Sequence, residues 1–247
     1  MKNKIHTLPA MLVVFITVVS TAFAEGTPTL QRPPDQPLRM LLLGSSSMKG
    51  AIGIAIERSL KGVSGIELHK VAESSTGLAR PDFFDWTERA RVLAKSIRPH
   101  VVILNLGPND AQGLWTPTGW KIWGEDAWRE EYQRRVLELM DLFSDARVYW
   151  IGPPAMRHEN SSLRQALISV FIQSCVAQRS FARYVDTYAL TCDPSGTYRE
   201  EILSSNGTYV VARAGDGIHF TMTGAMIIAE RVLSLVEQDL RSTISAF

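Results

Sequence analysis

Three short stretches hold the residues best suited to chemistry. Gly44-Ser45-Ser46-Ser47 sets three hydroxyls at the end of an apolar run, and Gly107-Pro108-Asn109-Asp110 closes a second such run. Asp216-Gly217-Ile218-His219 precedes a C-terminal amphipathic stretch. Serine is a weak nucleophile at its own pKa and needs an adjacent base. His219 is the candidate, because Asp216, three residues earlier, can orient the ring and stabilise the imidazolium that forms. His69, His100 and His158 have no carboxylate at that spacing. Asn109 offers an amide donor to an oxyanion, whereas Pro108 has no N–H to give. Helix capping is the competing role for the serines, since a strand-to-helix turn calls for a capping residue.

The elements that must position these groups follow from periodicity. Met40 to Gly44 is uncharged and apolar, as in a central strand covered on both faces. Beyond the serines, Ile52, Ile54, Ala55, Ile56 and Leu60 share a helical face. A hydroxyl at this turn lies beside helix N-terminal N–H groups, which favour developing negative charge. Further strands are expected at Ile66 to Val71, Val101 to Gly107, Arg147 to Gly152 and Ala182 to Asp186. Helices are expected from Trp86 to Ile97, along Trp128, Tyr132, Val136 and Phe143, and through Leu163, Leu167, Val170 and Phe171 with Ser161 or Ser162 as cap. Asn206-Gly207 predicts a hairpin. Thr221 can cap the last helix, whose inner stripe is Ala225, Met226, Ile228, Ala229, Val232, Leu233 and Val236. Alternating strands and helices predict an α/β, doubly wound three-layer sandwich with a central, mostly parallel five-stranded sheet.

The three stretches, in this order, resemble the motif blocks of the SGNH (GDSL-type) hydrolase superfamily, in its exported bacterial-type branch. The resemblance spans essentially the whole chain after Ala24. It implies Ser46 as nucleophile and Asp216 and His219 as its triad partners. It also implies an oxyanion hole made by the N–H groups of Ser46 and Gly77 and the amide of Asn109. Ser45 stands where the family has an aspartate before the nucleophile, which leaves Ser47 as a second candidate. Gly50, four residues after Ser46 as in the family's first block, favours Ser46. The implied activity is an esterase working through an acyl-enzyme, without cofactor or metal. An O-acetyl group on a cell-envelope carbohydrate is the expected substrate, with transfer to a sugar hydroxyl as a variant. A non-catalytic glycan-binding module, or an accessory partner of an envelope acyl-transfer system, is the alternative on the same fold.

Composition bounds the setting. At 247 residues, 45% hydrophobic and 21% charged, the chain suits one α/β domain. Lys2 and Lys4, an apolar run from Leu8 to Val19 and the small residues up to Ala24 read as a signal peptide, residues 1–24, with export to the periplasm or beyond; an uncleaved membrane anchor is the alternative. Residues 25–37 contain four prolines and read as a linker. Removing residues 1–24 takes away two lysines and no acids, so the formal net charge goes from +1 to −1. That balance offers nothing to nucleic acid, and no stable membrane insertion is expected after cleavage. Export permits a disulfide between Cys175 and Cys192, with two separate thiols as the alternative. No zinc-type spacing is present. Trp115, Trp120 and Trp123 lie in an irregular, Gly- and Pro-containing insertion after the third strand. Together with Arg80, on the Gly77 loop, they are the candidates for substrate contact; a hydrophobic plug is the other role open to the tryptophans. Intact-mass measurement of the exported protein is expected to show a chain beginning at Glu25; retention of Met1 in the exported protein would overturn this.

Overall fold

The computed structural model describes residues 36–244. The segment read above as a signal peptide and most of the expected linker lie outside the described residues. The main sheet is formed by β1 (Leu38–Gly44), β2 (Ile66–Ala72), β3 (Val101–Asn105), β6 (Arg147–Ile151) and β7 (Ala182–Val185), in the order β2-β1-β3-β6-β7. Every pairing in it is parallel. Two small antiparallel hairpins lie outside it: β4 (Leu114–Thr116) with β5 (Gly119–Lys121), and β8 (Glu201–Leu203) with β9 (Tyr209–Val211).

Strand alternation sends side chains to two separate cores. Leu41, Leu43, Val102 and Leu104 pack with α3 (Trp86–Ile97), α4 (Asp126–Asp141) and α5 (Glu159–Val176). Met40, Leu42, Val101 and Ile103 pack with α2 (Ala51–Leu60) and α6 (Met222–Ile244) on the opposite face. The result is the expected three-layer sandwich. Gly44 pairs with both Ala72 and Asn105, so the chain leaves β1, β2 and β3 at one level of the carboxyl edge. The strand order reverses there, between β1 and β3, and such a crevice is where open α/β sheets bind ligands.

Helix α6 is pinned at its far end. Asp239 accepts hydrogen bonds from Arg147 Nη2 at 2.8 Å, Tyr149 OH at 2.7 Å and Arg183 Nη2 at 2.5 Å. This fixes α6 against the amino ends of β6 and β7, and so holds its N-terminus, just past His219, over the carboxyl edge.

Several local expectations are corrected. Helix α5 turns its other face inward: Ser162, Gln165, Ile168, Ser169 and Ile172 are buried, while Leu163, Leu167 and Val170 are exposed. The inward polar groups are satisfied in part, Gln165 Nε2 donating to Pro108 O at 3.0 Å and Ser169 Oγ bonding Tyr184 OH at 2.7 Å, while Gln165 Oε1 has no partner among the described residues. Neither Ser161 nor Ser162 caps it; the helix starts after His158, and Ser162 Oγ instead accepts from Met156 N at 3.3 Å. Met226, expected on the inner stripe of the last helix, is exposed. The tryptophan insertion is not irregular throughout, since β4 and β5 pair Trp115 directly opposite Trp120.

Cys175 and Cys192 are free thiols, not a disulfide. Cys175 sits in the core near the end of α5, where Ser180 meets Arg147 at the amino end of β6. Cys192 follows Thr191, which meets Ala155 beyond the carboxyl end of the same strand. Five strand residues at about 3.3 Å each separate those ends, well beyond the ~7 Å between Cα atoms that a bridge tolerates.

Removing the Asp239 carboxylate leaves Arg147, only 3% exposed, without its counter-charge. Asp239→Ala is expected to cost about 3–5 kcal/mol in urea unfolding, and Asp239→Asn, which keeps an acceptor, clearly less.

Candidate active site

Ser46 is the first residue of α1 (Ser46–Lys49), a single turn separated from α2 by Gly50. Gly44 makes this turn possible: a Cβ there would lie 2.6 Å from Met48 Cβ and 2.7 Å from Asn105 O. Ser45 occupies the capping position, but its side chain makes no capping bond. The backbone secures the turn instead, Ser45 N donating to Asn105 O at 3.2 Å and Ser45 O accepting from Lys49 N at 2.9 Å. Ser46 Oγ lies 2.9 Å from His219 Nε2. The structure therefore brings Ser46, not Ser47, to the histidine.

Asp216 organises the partner turn. Its Oδ1 accepts from the N–H groups of Ile218 at 2.8 Å and His219 at 2.9 Å, and its Oδ2 lies 2.7 Å from His219 Nδ1. An ionised carboxylate only accepts, so Nδ1 carries the proton and Nε2 is left to accept from the serine hydroxyl. Partial burial works against the charge on Asp216, but the bonds from the His219 ring and from the two backbone N–H groups outweigh it and hold the carboxyl at about 2. Thr221 caps α6 immediately afterwards, accepting from Gly224 N at 3.1 Å.

The loops after β2 and β3 are locked together beside this relay. Asn109 Nδ2 donates to Thr76 O at 2.9 Å, which sets the amide next to Gly77. The Gly77 N–H has no backbone acceptor among the described residues. A Cβ on Gly77 would lie 2.1 Å from Asp110 Oδ1, so only glycine lets this backbone approach. Asp110 is fully buried and accepts from Ala79 N at 2.8 Å and Tyr132 OH at 3.1 Å. Arg135 completes the tie, donating to Leu78 O at 2.7 Å and Trp115 O at 2.6 Å. Arg135 is not among the site residues expected above, yet it carries a signal in the sequence, being a charge on the buried stripe of α4 defined by Trp128, Tyr132 and Leu139.

The four substrate-contact candidates separate. Trp123 packs edge-on against Trp128 with centroids 4.5 Å apart and belongs to the core side. Trp115 is half-buried, while Trp120 is 56% exposed. Arg80 holds Asp82 with two nitrogens and lays its guanidinium over Trp120, 5.1 Å from the ring centre.

Residues 39–235 match the model of a family described as a protein of unknown function, DUF459, and the chain belongs to that family. No curated protein matches it in sequence. Its fold is that of the SGNH (GDSL-type) hydrolases, as solved structures show. A carbohydrate acetylesterase family member from Sinorhizobium meliloti superposes with a TM-score of 0.58 at 12% identity, over 82% of this chain and 98% of that one. A mutant form of an acetyl-xylooligosaccharide esterase from a Geobacillus species gives 0.54 at 14% identity, over 81% and 94%. A lipase/acylhydrolase from Enterococcus faecalis gives 0.53 at 17%, over 81% and 95%.

Burial pushes the Asp110 carboxyl up to about 6, against the pull of the Ala79 and Leu78 N–H groups, the Tyr132 hydroxyl and the Arg135 charge. The folded value lies above the unfolded one, so between the two the native state binds more protons and gains stability as pH falls. Relative to Asp110→Asn, the wild type is expected to gain up to about 3 kcal/mol on going from pH 7 to pH 4. Urea titrations of both proteins at the two pH values measure this; a constant difference would show that Asp110 titrates as it does in the unfolded chain.

Proposed function

We propose that this protein is an exported serine esterase that acts on an acylated carbohydrate of the cell envelope. One observation carries the chemistry: the unbroken relay from Ser46 Oγ through His219 to Asp216, with contacts of 2.9 and 2.7 Å. His219 Nε2 takes the hydroxyl proton as Ser46 Oγ attacks the ester carbonyl, and Asp216 stabilises the resulting imidazolium. The Ser46 and Gly77 N–H groups and the Asn109 amide are the donors assigned to the oxyanion, each contributing about 3 kcal/mol to the transition state. His219 then protonates the departing sugar oxygen. Water, activated by the same ring, releases the acyl group from Ser46.

The sugar assignment is supported by the names of two structural neighbours, a carbohydrate acetylesterase family member and an acetyl-xylooligosaccharide esterase, and by the exposed Trp120 with Arg80 stacked on it. Export is supported by the charged and apolar N-terminal segment.

A fluorophosphonate probe is expected to label Ser46 alone. Ser46→Ala should abolish labelling and lower kcat by several orders of magnitude, and adding His219→Ala should cost little more, because the two act as a unit. Trp120→Ala should raise KM on an acetylated oligosaccharide and leave a small aryl acetate unaffected. Trp123→Ala should instead lower the melting temperature and weaken both activities together. Wild-type protein that takes no label and hydrolyses no ester faster than Ser46→Ala would refute the catalytic reading.

A further inference from the structure

The Asp216–His219 turn is exposed where its function demands rigidity. The Asp216 side chain is 45% accessible and that of His219 39%, so packing does not hold either in place. Within the turn, Ala214 N donates to His219 O at 2.8 Å and Gly217 N to Ala214 O at 2.9 Å. What anchors the turn to the body is a pair of arginines from outside it. Arg157, in the loop after β6, donates from its backbone N–H to Gly217 O at 3.1 Å and from Nη1 to Gly215 O at 2.7 Å. Its Cβ would lie only 2.5 Å from a Cβ on Gly217, which has φ of +70°, so the two backbones meet without an intervening side chain. Arg213, 2% exposed, donates from Nη2 to Ile218 O at 2.7 Å and to Ala155 O at 2.9 Å. The carbonyls on both sides of Asp216, and the one before His219, are thus all held by arginine N–H groups.

We propose that Arg157 is the positioning residue of this site: its guanidinium, aimed by an ion pair with Glu200, holds the Asp216 turn in the one arrangement that aligns His219 with Ser46. This deepens the esterase reading and rests on it for its kinetic consequence. The geometry is specific to a guanidinium. Nη1 serves Gly215 O while Nη2 serves Glu200 Oε1, so a single planar fork links the turn to the segment leading into the β8–β9 hairpin. The charge lies over the Tyr198 ring, 5.8 Å from its centre, which sets the plane of the fork. Arg157 does not reach the reacting atoms; it acts through Asp216. Because its side chain is 45% exposed, its removal opens a solvent-accessible gap instead of a sealed cavity.

The test compares wild type, Arg157→Ala and Arg157→Lys. In Arg157→Ala, kcat on an aryl acetate is expected to fall about 100-fold, the loss typical of an ångström-scale misplacement, with KM within about twofold because no substrate contact is removed. Guanidinium ion added at millimolar concentration should restore part of the lost rate to Arg157→Ala and none to wild type. Arg157→Lys, which keeps the charge but not the fork, should recover less than the rescued alanine variant. In the resting protein, the far-downfield proton resonance of His219 Nδ1–H, hydrogen-bonded to Asp216, should be sharp in wild type and broadened or lost in Arg157→Ala. Retention of both kcat and this resonance in Arg157→Ala would overturn the proposal, as would a loss of rate that guanidinium does not rescue and that tracks a lowered melting temperature. The resonance needs no turnover. An unlabelled, inactive wild type would therefore refute the esterase reading, while the resonance would still decide whether Arg157 orders the turn.

Discussion

The bond between Ser46 and His219 joins residues 173 positions apart, and the rest of the architecture is what makes that approach possible. Ser46 is fixed by β1, an interior strand between β2 and β3, and His219 by the start of α6. Both α2 and α6 pack on the same sheet face, and Asp239 anchors the far end of α6 to β6 and β7. With the two helices held there, the N-terminal ends of α1 and α6 both come to the carboxyl edge. A hydrogen bond tolerates only a few tenths of an ångström of error, so the site depends on this helix pair as much as on its own residues.

Two aspartates near the site show how environment assigns roles. Asp110 is fully buried, its carboxyl raised to about 6 by desolvation, and its oxygens tie the Gly77 loop to α4. Asp216 is half-exposed, its carboxyl held at about 2 by hydrogen bonds from the histidine and two backbone N–H groups. The same functional group therefore serves as a structural tie in one place and as a permanent negative charge in the other, as is usual where carboxylates divide labour within a site.

The serine at position 45 shows that this turn does not need an acid. Backbone bonds to Asn105 and Lys49 close it, and Gly44 supplies the close approach to β3. Chemistry at this turn requires a hydroxyl at the helix start and a base within reach, and both are present.

Much was legible in the chain itself. Uninterrupted apolar runs marked the buried strands, since parallel strands covered on both faces have no polar side. Local chemistry marked the turns: Gly44 before the serines, Asn206-Gly207 in the hairpin, and Thr221 before the last helix. The three-residue spacing of Asp216 and His219 fixed their partnership, because one turn brings both together. Contacts between distant segments were another matter. Helix α5 carries apolar residues on every side, so no periodicity could say which face turns inward, and the partners offered by Pro108 and Tyr184 decided it. The cysteines could be counted but not placed, because only the sheet puts them at opposite ends of β6. Arg157 and Arg213 look like ordinary surface arginines in the sequence; their role depends on backbone carbonyls, which carry no sequence signature and acquire a position only when the chain has folded.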